Sequence, residues 1–316
     1  MLTRRQFTKL AAASAFAPTA LAAAQPAKAS KPEPIKVDRW KAKAPTQPKG
    51  RDLTGAAALG WQLGCQSWTF RDRTVFESIE TMGRLGLTHA EFYPGQKLAP
   101  QFGDAVIDAN MSDEHFRALQ EHLNKNHVIA NSYGVIAITK DEKANHANFE
   151  FAKKMGMHTV SCEPEREMWD AAASLGKQYG IRLAIHNHPK PSTFWDPDVE
   201  LEAIKGREEW IGSCSDVGHW PRSGLNSLEC LKKLDGHIFE LHFKDVAKVD
   251  DKPTYEDRPW GTGGNDVKGM LTELKRQKFK GVFLVEYEIT SGKELEENVA
   301  KSVAFFDTTA NELAKG

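Results

Sequence analysis

Residues 59–316 of this 316-residue chain predict an α/β fold, a single closed (β/α)8 barrel. Two observations carry the prediction. Apolar strand-like runs alternate with amphipathic helical runs eight times over roughly 255 residues, a length that suits a closed barrel better than an open sheet. Residues able to bind metals and move protons recur where those strands end, the end at which such barrels keep their chemistry.

The units follow in order. WQLGCQSW (61–68) is the first strand, and Val75, Phe76, Ile79 and Met82 form a helical stripe that Gly86 ends. THAEFY (88–93) is the second strand; Ser112 caps the helix after it, and Asp113 and Glu114 favour its first turn. HVIANSYGV (127–135) precedes a helix over 141–155, and HTVSCEP (158–164) precedes one that runs to 179. IRLAIHNH (181–188) is the fifth strand, followed by a loop and a short helix near 199–204. IGSCSDVGH (211–219) leads to a helix over 227–234. HIFELHFKD (237–245) leads into a long loop, 246–265, and the helix DVKGMLTELKRQ. GVFLVEYE (281–288) is the eighth strand, and a last helix spans 293–313.

Composition narrows the partners. A net charge of -1 and 40% hydrophobic residues describe a folded protein without the basic excess that nucleic acid requires. No segment is apolar for long enough to span a bilayer, so no stable membrane anchor is expected. The four cysteines lack C-x-x-C spacing and read as small buried hydrophobes. Oligomeric state is left open.

Residues 1–29 stand apart. Arg4-Arg5, Phe7 and Lys9 precede an alanine-rich run broken by Pro18, with small residues suited to cleavage near Ala24 or Ala29. This resembles a twin-arginine (Tat) signal, an address read by the export machinery rather than an anchor. The resemblance implies a periplasmic or otherwise exported protein that leaves the cytoplasm folded and with any cofactor already loaded. Residues 30–58, rich in Pro, Lys and Ala, read as a flexible linker.

The strand ends concentrate ligand-type side chains: Glu91, Glu163, His186, His188, Asp216, His219, Glu240, His242, Glu286 and Glu288. His186 and His188 lie two apart, so on an extended strand both rings point to one side. By the same alternation Glu163 shares a face with Ser161 and can point into the barrel mouth. Mixed carboxylate and imidazole groups without a thiolate suit one divalent ion, Mn2+, Zn2+, Co2+ or Fe2+. Magnesium would take more oxygen. Trp68, Phe70, Tyr93, Trp195, Trp220 and Trp260 lie at or after strand ends, to stack on a ligand or pack the loops. The glycines of RPWGTGG (258–264) would let the long loop close over a ligand.

SDVGHW, LHFKD and FLVEYE, in that order, with LGCQSWTFRD and GLTHAEFYPG before them, resemble the sugar phosphate isomerase/epimerase superfamily, the xylose isomerase-like TIM barrels. The resemblance spans 60–314. It implies one divalent metal held by Asp216, His242 and Glu286, and it matches His219 to a histidine that contacts substrate. The family's fourth ligand, a glutamate ending strand five, falls on His186. Either His186 takes the metal position, or Glu163 next door reaches the ion or acts as the base. The arrangement expected is His186 at the metal, with Glu163 and Glu286 as the acid/base pair. His188, His219, Lys244 and Glu91 are expected to bind substrate, Lys244 by stabilising an oxyanion.

The chemistry so implied is removal of the proton α to a sugar carbonyl through a metal-stabilised enediolate, by an isomerase or epimerase acting on a small carbohydrate. Export argues against a phosphorylated substrate. The alternatives are a metal-dependent lyase that cleaves 3-keto-glycosides by β-elimination and a non-catalytic sugar-binding barrel.

Overall fold

A computed structural model describes residues 39–43, 48, 50–250 and 254–316. Its strands are β1 (Trp61–Gln66), β2 (His89–Phe92), β3 (Ile129–Ile138), β4 (Thr159–Pro164), β5 (Arg182–His186), β6 (Ile211–Asp216), β7 (Ile238–Phe243), β8 (Asp245–Lys248), β9 (Tyr255–Arg258) and β10 (Gly281–Val285). Eight of them close a parallel barrel in the order β1-β10-β7-β6-β5-β4-β3-β2. The closing pair sets Trp61 against Gly281 and Cys65 against Val285. Barrel strands are covered on both faces, which is why they read as apolar runs rather than as alternation. Leu63, Ala90, Val160, Leu183, Ile185, Leu241 and Phe283 are all buried.

The helices are α1 (Thr54–Leu59), α2 (Val75–Leu85), α3 (Asp113–Lys125), α4 (Glu142–Lys154), α5 (Trp169–Tyr179), α6 (Pro197–Ile204), α7 (His219–Arg222), α8 (Ser227–Lys233), α9 (Val267–Arg276) and α10 (Gly292–Ala314). Local signals fix several of their ends. Thr74 and Glu77 form a reciprocal capping box at α2, and Gly86 stops that helix in the left-handed conformation. Ser112 accepts the His115 N–H at the start of α3, as its sequence predicts. Among the described residues no helix is long and apolar enough to cross a membrane.

Three features differ from expectation. The first strand stops at Gln66, and Ser67–Phe70 forms a 3-10 turn that carries Trp68. The loop after the seventh strand contains an antiparallel hairpin, β8 with β9, pairing Asp245 with Arg258. The segment expected to be a linker is partly built into the barrel floor. Arg39 donates to the carbonyls of Met157 and, at 2.9 Å, Gly180. A Cβ on Gly156, whose φ is +81°, would sit 2.4 Å from the Trp40 carbonyl oxygen, so only glycine admits that crossing. Arg51 pairs with Asp307 of α10 through Nε at 2.9 Å and caps the Gly86 carbonyl at 2.6 Å. The twin arginines and the rest of the 1–29 signal lie outside the described residues.

The Arg51–Asp307 pair is almost wholly shielded from solvent, with side chains 6% and 12% exposed. Replacing Arg51 with Ala strands the Asp307 carboxylate and is expected to lower the unfolding free energy by about 3 kcal/mol in urea titrations. A loss below about 0.5 kcal/mol, typical of a surface change, would mean that the floor segment is not integral to the fold.

Candidate metal centre

Four adjacent strands, β5, β6, β7 and β10, end at one side of the barrel mouth. Pairing puts Asp216 directly beside His242 and His242 beside Leu284, two residues before Glu286. One ligand atom each from His186, Asp216, His242 and Glu286 falls within 4.8 Å of all the others, and all four residues are buried. His186 Nε2 is 3.5 Å from Asp216 Oδ2, and His242 Nδ1 is 3.0 Å from Glu286 Oε2. Both nitrogens of His186, Nδ1 of His242 and Oε2 of Glu286 are buried without a hydrogen-bond partner. Buried polar atoms rarely go unpaired. The Glu286 oxygen has only its ion pairs with Lys244 and His242, so imidazole nitrogens without hydrogen bonds, gathered with two carboxylates, fit a divalent cation. Mixed imidazole and carboxylate donors are also the right chemistry for one.

The surrounding groups hold these ligands in place. Asn187 and Asp216 exchange hydrogen bonds, Asn187 Oδ1 accepting the Asp216 N–H at 2.7 Å and Nδ2 donating to the Asp216 carbonyl at 2.9 Å. Oδ1 of Asp216 accepts the N–H groups of Gly218 and His219, leaving Oδ2 to face the centre. Glu91 Oε2 lies 2.7 Å from His242 Nε2, and Ser161 donates to the other oxygen of Glu91. A carboxylate on Nε2 fixes the ring so that Nδ1 faces the cluster. Below it, Glu240 accepts from Asn131 Nδ2 at 2.8 Å; burial and then the Glu91 charge push its carboxyl up to about 8.

Charge is balanced by Lys244. Its ammonium lies 2.8 Å from Asp216 Oδ2, 2.8 Å from Glu286 Oε2 and 3.1 Å from Glu288. Burial opposes its charge, but these carboxylates hold its pKa well above the usual lysine range. Burial likewise pushes the Asp216 and Glu286 carboxyls up, and the cations beside them overcome it and keep both low. Burial holds the His186 and His219 imidazoles low, so both are neutral. Arg222, which can only donate, reaches His219 Nδ1 at 3.1 Å, so the proton of that ring is on Nε2.

Above the cluster opens a cavity of ≈ 440 Å³ whose walls include His186, His188, His219, Glu286 and Glu288 on one side and Trp68 and Tyr93 on the other. A second cavity of ≈ 490 Å³, near Arg51, Trp61 and Phe306 at the floor, carries none of the strand-end ligands.

Several residues sit otherwise than the sequence suggests. Glu91 is fully buried beneath His242 and does not reach the cavity as a substrate contact. Lys244, enclosed by carboxylates, is likewise not free to meet an oxyanion. Glu163 lies behind His188 rather than on the cavity wall, with Oε1 on His188 Nδ1 and Oε2 accepting from Ser192 at 3.0 Å. His188 itself, on the loop after β5, is 47% exposed. Of the six aromatics, Phe70, Trp220 and Trp260 are buried, Trp195 lies under Lys190, and only Trp68 and Tyr93 face the cavity. Asn187, Arg222 and Asp257 were not anticipated. Arg222 stands three residues after His219, a helical spacing that could have flagged it. Asp257 comes from the unforeseen hairpin, accepts from Arg222 at 3.1 Å and from the Glu288 N–H at 2.6 Å, and gave no local signal.

The family profile described as xylose isomerase-like TIM barrel matches residues 84–309. Inosose dehydratase of Clostridium perfringens is 21% identical over 267 residues, 74% of this chain and 89% of that protein. The crystal structure of an uncharacterised protein from Parabacteroides distasonis is 32% identical, with a TM-score of 0.64 over 79% of this chain and 99% of the other. A xylose isomerase-like TIM barrel protein from Mycobacterium smegmatis, solved with magnesium, shares the fold at 14% identity, with a TM-score of 0.63 over 81% and 99% of the two chains.

Replacing Glu91 with Gln removes the charge that orients His242. Calorimetric titration with Zn2+ or Mn2+ is expected to show affinity falling by about tenfold to a hundredfold. Unchanged affinity would separate Glu91 from the centre.

Proposed function

This chain belongs to the xylose isomerase-like TIM barrel family, and from that premise we propose that it is a divalent-metal-dependent lyase. The reaction we infer removes the proton next to a carbonyl of a small carbohydrate and expels a substituent from the β position. The observation that carries the reading is the buried His186–Asp216–His242–Glu286 cluster, with its orphaned nitrogens, directly below a cavity lined by two further histidines.

His186, Asp216, His242 and Glu286 would hold the ion. Two imidazoles in four ligands favour Zn2+, Mn2+, Co2+ or Fe2+ over Mg2+. The magnesium bound by the Mycobacterium smegmatis protein supports a divalent site in this fold without choosing the ion. A divalent ion supplies Lewis-acid polarisation of a carbonyl, which makes the adjacent C–H acidic enough to lose its proton.

The chain's own groups then divide the proton traffic. His188 is the base. Glu163 engages its Nδ1, so Nδ1 carries the proton and Nε2 is left to accept one from the substrate. Ser192 holds the second oxygen of Glu163, which makes Glu163 a positioning group and moves the base expected at Glu163 one residue outward. His219 presents the opposite tautomer: Nε2 carries the proton and lies 3.3 Å from Asp216 Oδ2 on the cavity wall, the position from which it would donate to the oxygen of a departing group. An acceptor imidazole and a donor imidazole on one cavity suit elimination. The likeness to inosose dehydratase over most of that protein's length supports the same outcome. Glu286 also reaches the cavity wall and favours a second reading, an isomerase or epimerase in which this carboxylate returns the proton. The Arg4-Arg5 segment supports export by the Tat route, and with it an unphosphorylated substrate.

Proton NMR in D2O tests the reading, with metal-loaded protein and a panel of keto-inositols, free keto-sugars and 3-keto-glycosides. Loss of water or of an aglycone with an unsaturated product is expected. A new isomer carrying deuterium would move the assignment to the second reading, and no exchange on any member would count against catalysis. His188→Ala is expected to lower turnover by about 10²–10⁴-fold, and Glu163→Gln by less, with metal content unchanged in both.

A further inference from the structure

We propose that Trp68 and Tyr93 form an aglycone subsite, a wall that takes a planar aryl substituent on the sugar whose polar end faces the histidines. The proposal rests on reading the centre as one that handles carbohydrate.

The wall is built by short local contacts. β1 ends at Gln66, whose Oε1 accepts the Trp68 N–H at 3.1 Å and so starts the 3-10 turn. Ser67 in that turn accepts the Tyr93 N–H at 3.3 Å, which ties the end of β2 to it. The two rings then meet edge to face, centroids 5.0 Å apart at 83°. Arg71 sits over the indole at 5.4 Å and is itself held by the carbonyls of Trp68 and Glu288. Trp68 is therefore braced, yet 40% exposed. Apart from Ile289, no other large hydrophobic side chain among the described residues is so exposed. An indole with Arg71 over its ring, Tyr93 at right angles to it and the remainder open to a cavity forgoes burial that a core position would give it, and a ligand ring can supply that burial.

The cavity is divided by chemistry. The ionisable groups come from the ends of β5, β6 and β10; Gln66, Trp68, Tyr93, Pro94 and Val135 come from the ends of β1 and β2 and from β3. On this second side the Gln66 amide is already engaged, Oε1 by Trp68 and Nε2 by the Gly134 carbonyl at 3.2 Å. The Tyr93 hydroxyl and the Trp68 indole N–H are the polar atoms this wall still offers, one at the edge of each ring, so its broad surfaces are aromatic and suit the face of an aryl ring. The volume, ≈ 440 Å³, falls within the range of about 300–1,000 Å³ that takes drug-sized ligands. An isolated Trp68 with Ile289 is too small a patch for a protein partner.

The test is calorimetric titration of the metal-loaded full chain with 4-nitrophenyl β-D-glucopyranoside and with methyl β-D-glucopyranoside. The aryl glycoside is expected to bind about tenfold tighter. Trp68→Ala should bring the two within about twofold, Trp68→Phe should keep most of the preference, and metal affinity should stay the same in both variants. Equal affinities in the unaltered protein, a preference that survives Trp68→Ala, or no binding of the aryl probe would each overturn the subsite. Failure of the unaltered protein to bind a divalent ion would instead strike the metal centre, while the aryl-to-methyl ratio would still decide the subsite.

Discussion

The Lys244 ammonium is the charge around which the barrel mouth is assembled. It is buried, and it lies against Asp216, Glu286 and Glu288, which come from two different regions of the chain. Each of those carboxylates would be costly to bury alone, and so would the ammonium. Together they hold the ends of β6, β7 and β10 close to one another. The close approach has a requirement of its own. A Cβ on Gly218 would sit 2.7 Å from the Lys244 Cβ, so the turn after β6 must be glycine for the lysine stem to pass. Hydrogen-bonded neighbours extend this order outward, through Glu288 to Arg222 and Asp257 and through Asp216 to Asn187.

The same network separates two kinds of histidine. His186 and His242 lie inside the charge cluster. His188 and His219 stand at its rim, 5.4 Å apart between ring centroids, and differ in what binds their Nδ1, a carboxylate in one and a guanidinium in the other. Chemically similar rings thus take opposite tautomers from their neighbours alone.

Much of the fold was legible because barrel strands and their helices leave strong local marks. Gly86 and Ser112 delimit helices by chemistry confined to a few residues, and the eight-fold alternation needs no long-range information. That His186, Asp216, His242 and Glu286 share one face follows from parallel strands ending together, whereas their selection from the ten strand-end candidates came from the family resemblance. Contacts between side chains were not legible. Nothing in the sequence around Glu91 distinguishes a residue that supports His242 from one that meets a ligand; 151 residues separate the two. Lys244 shares the inward direction of His242 as alternation requires, but whether its ammonium meets substrate or carboxylates depends on Glu286 and Glu288, contributed by another strand's end. The β8–β9 hairpin was hidden because DVAK and YEDR are short, polar and weakly alternating.

The pairing of Arg51 with Asp307 has a consequence for how the chain acquires its shape. These residues lie 256 apart, and the strand pair that closes the barrel, β1 with β10, spans a similar distance. Neither contact can form until all of the intervening chain has been made. Until then β1 has an unpaired edge and the floor segment has no α10 to receive it. Contacts of such long range make folding slow and leave partly built intermediates exposed. The barrel therefore closes late in folding, when segments more than two hundred residues apart in sequence come together.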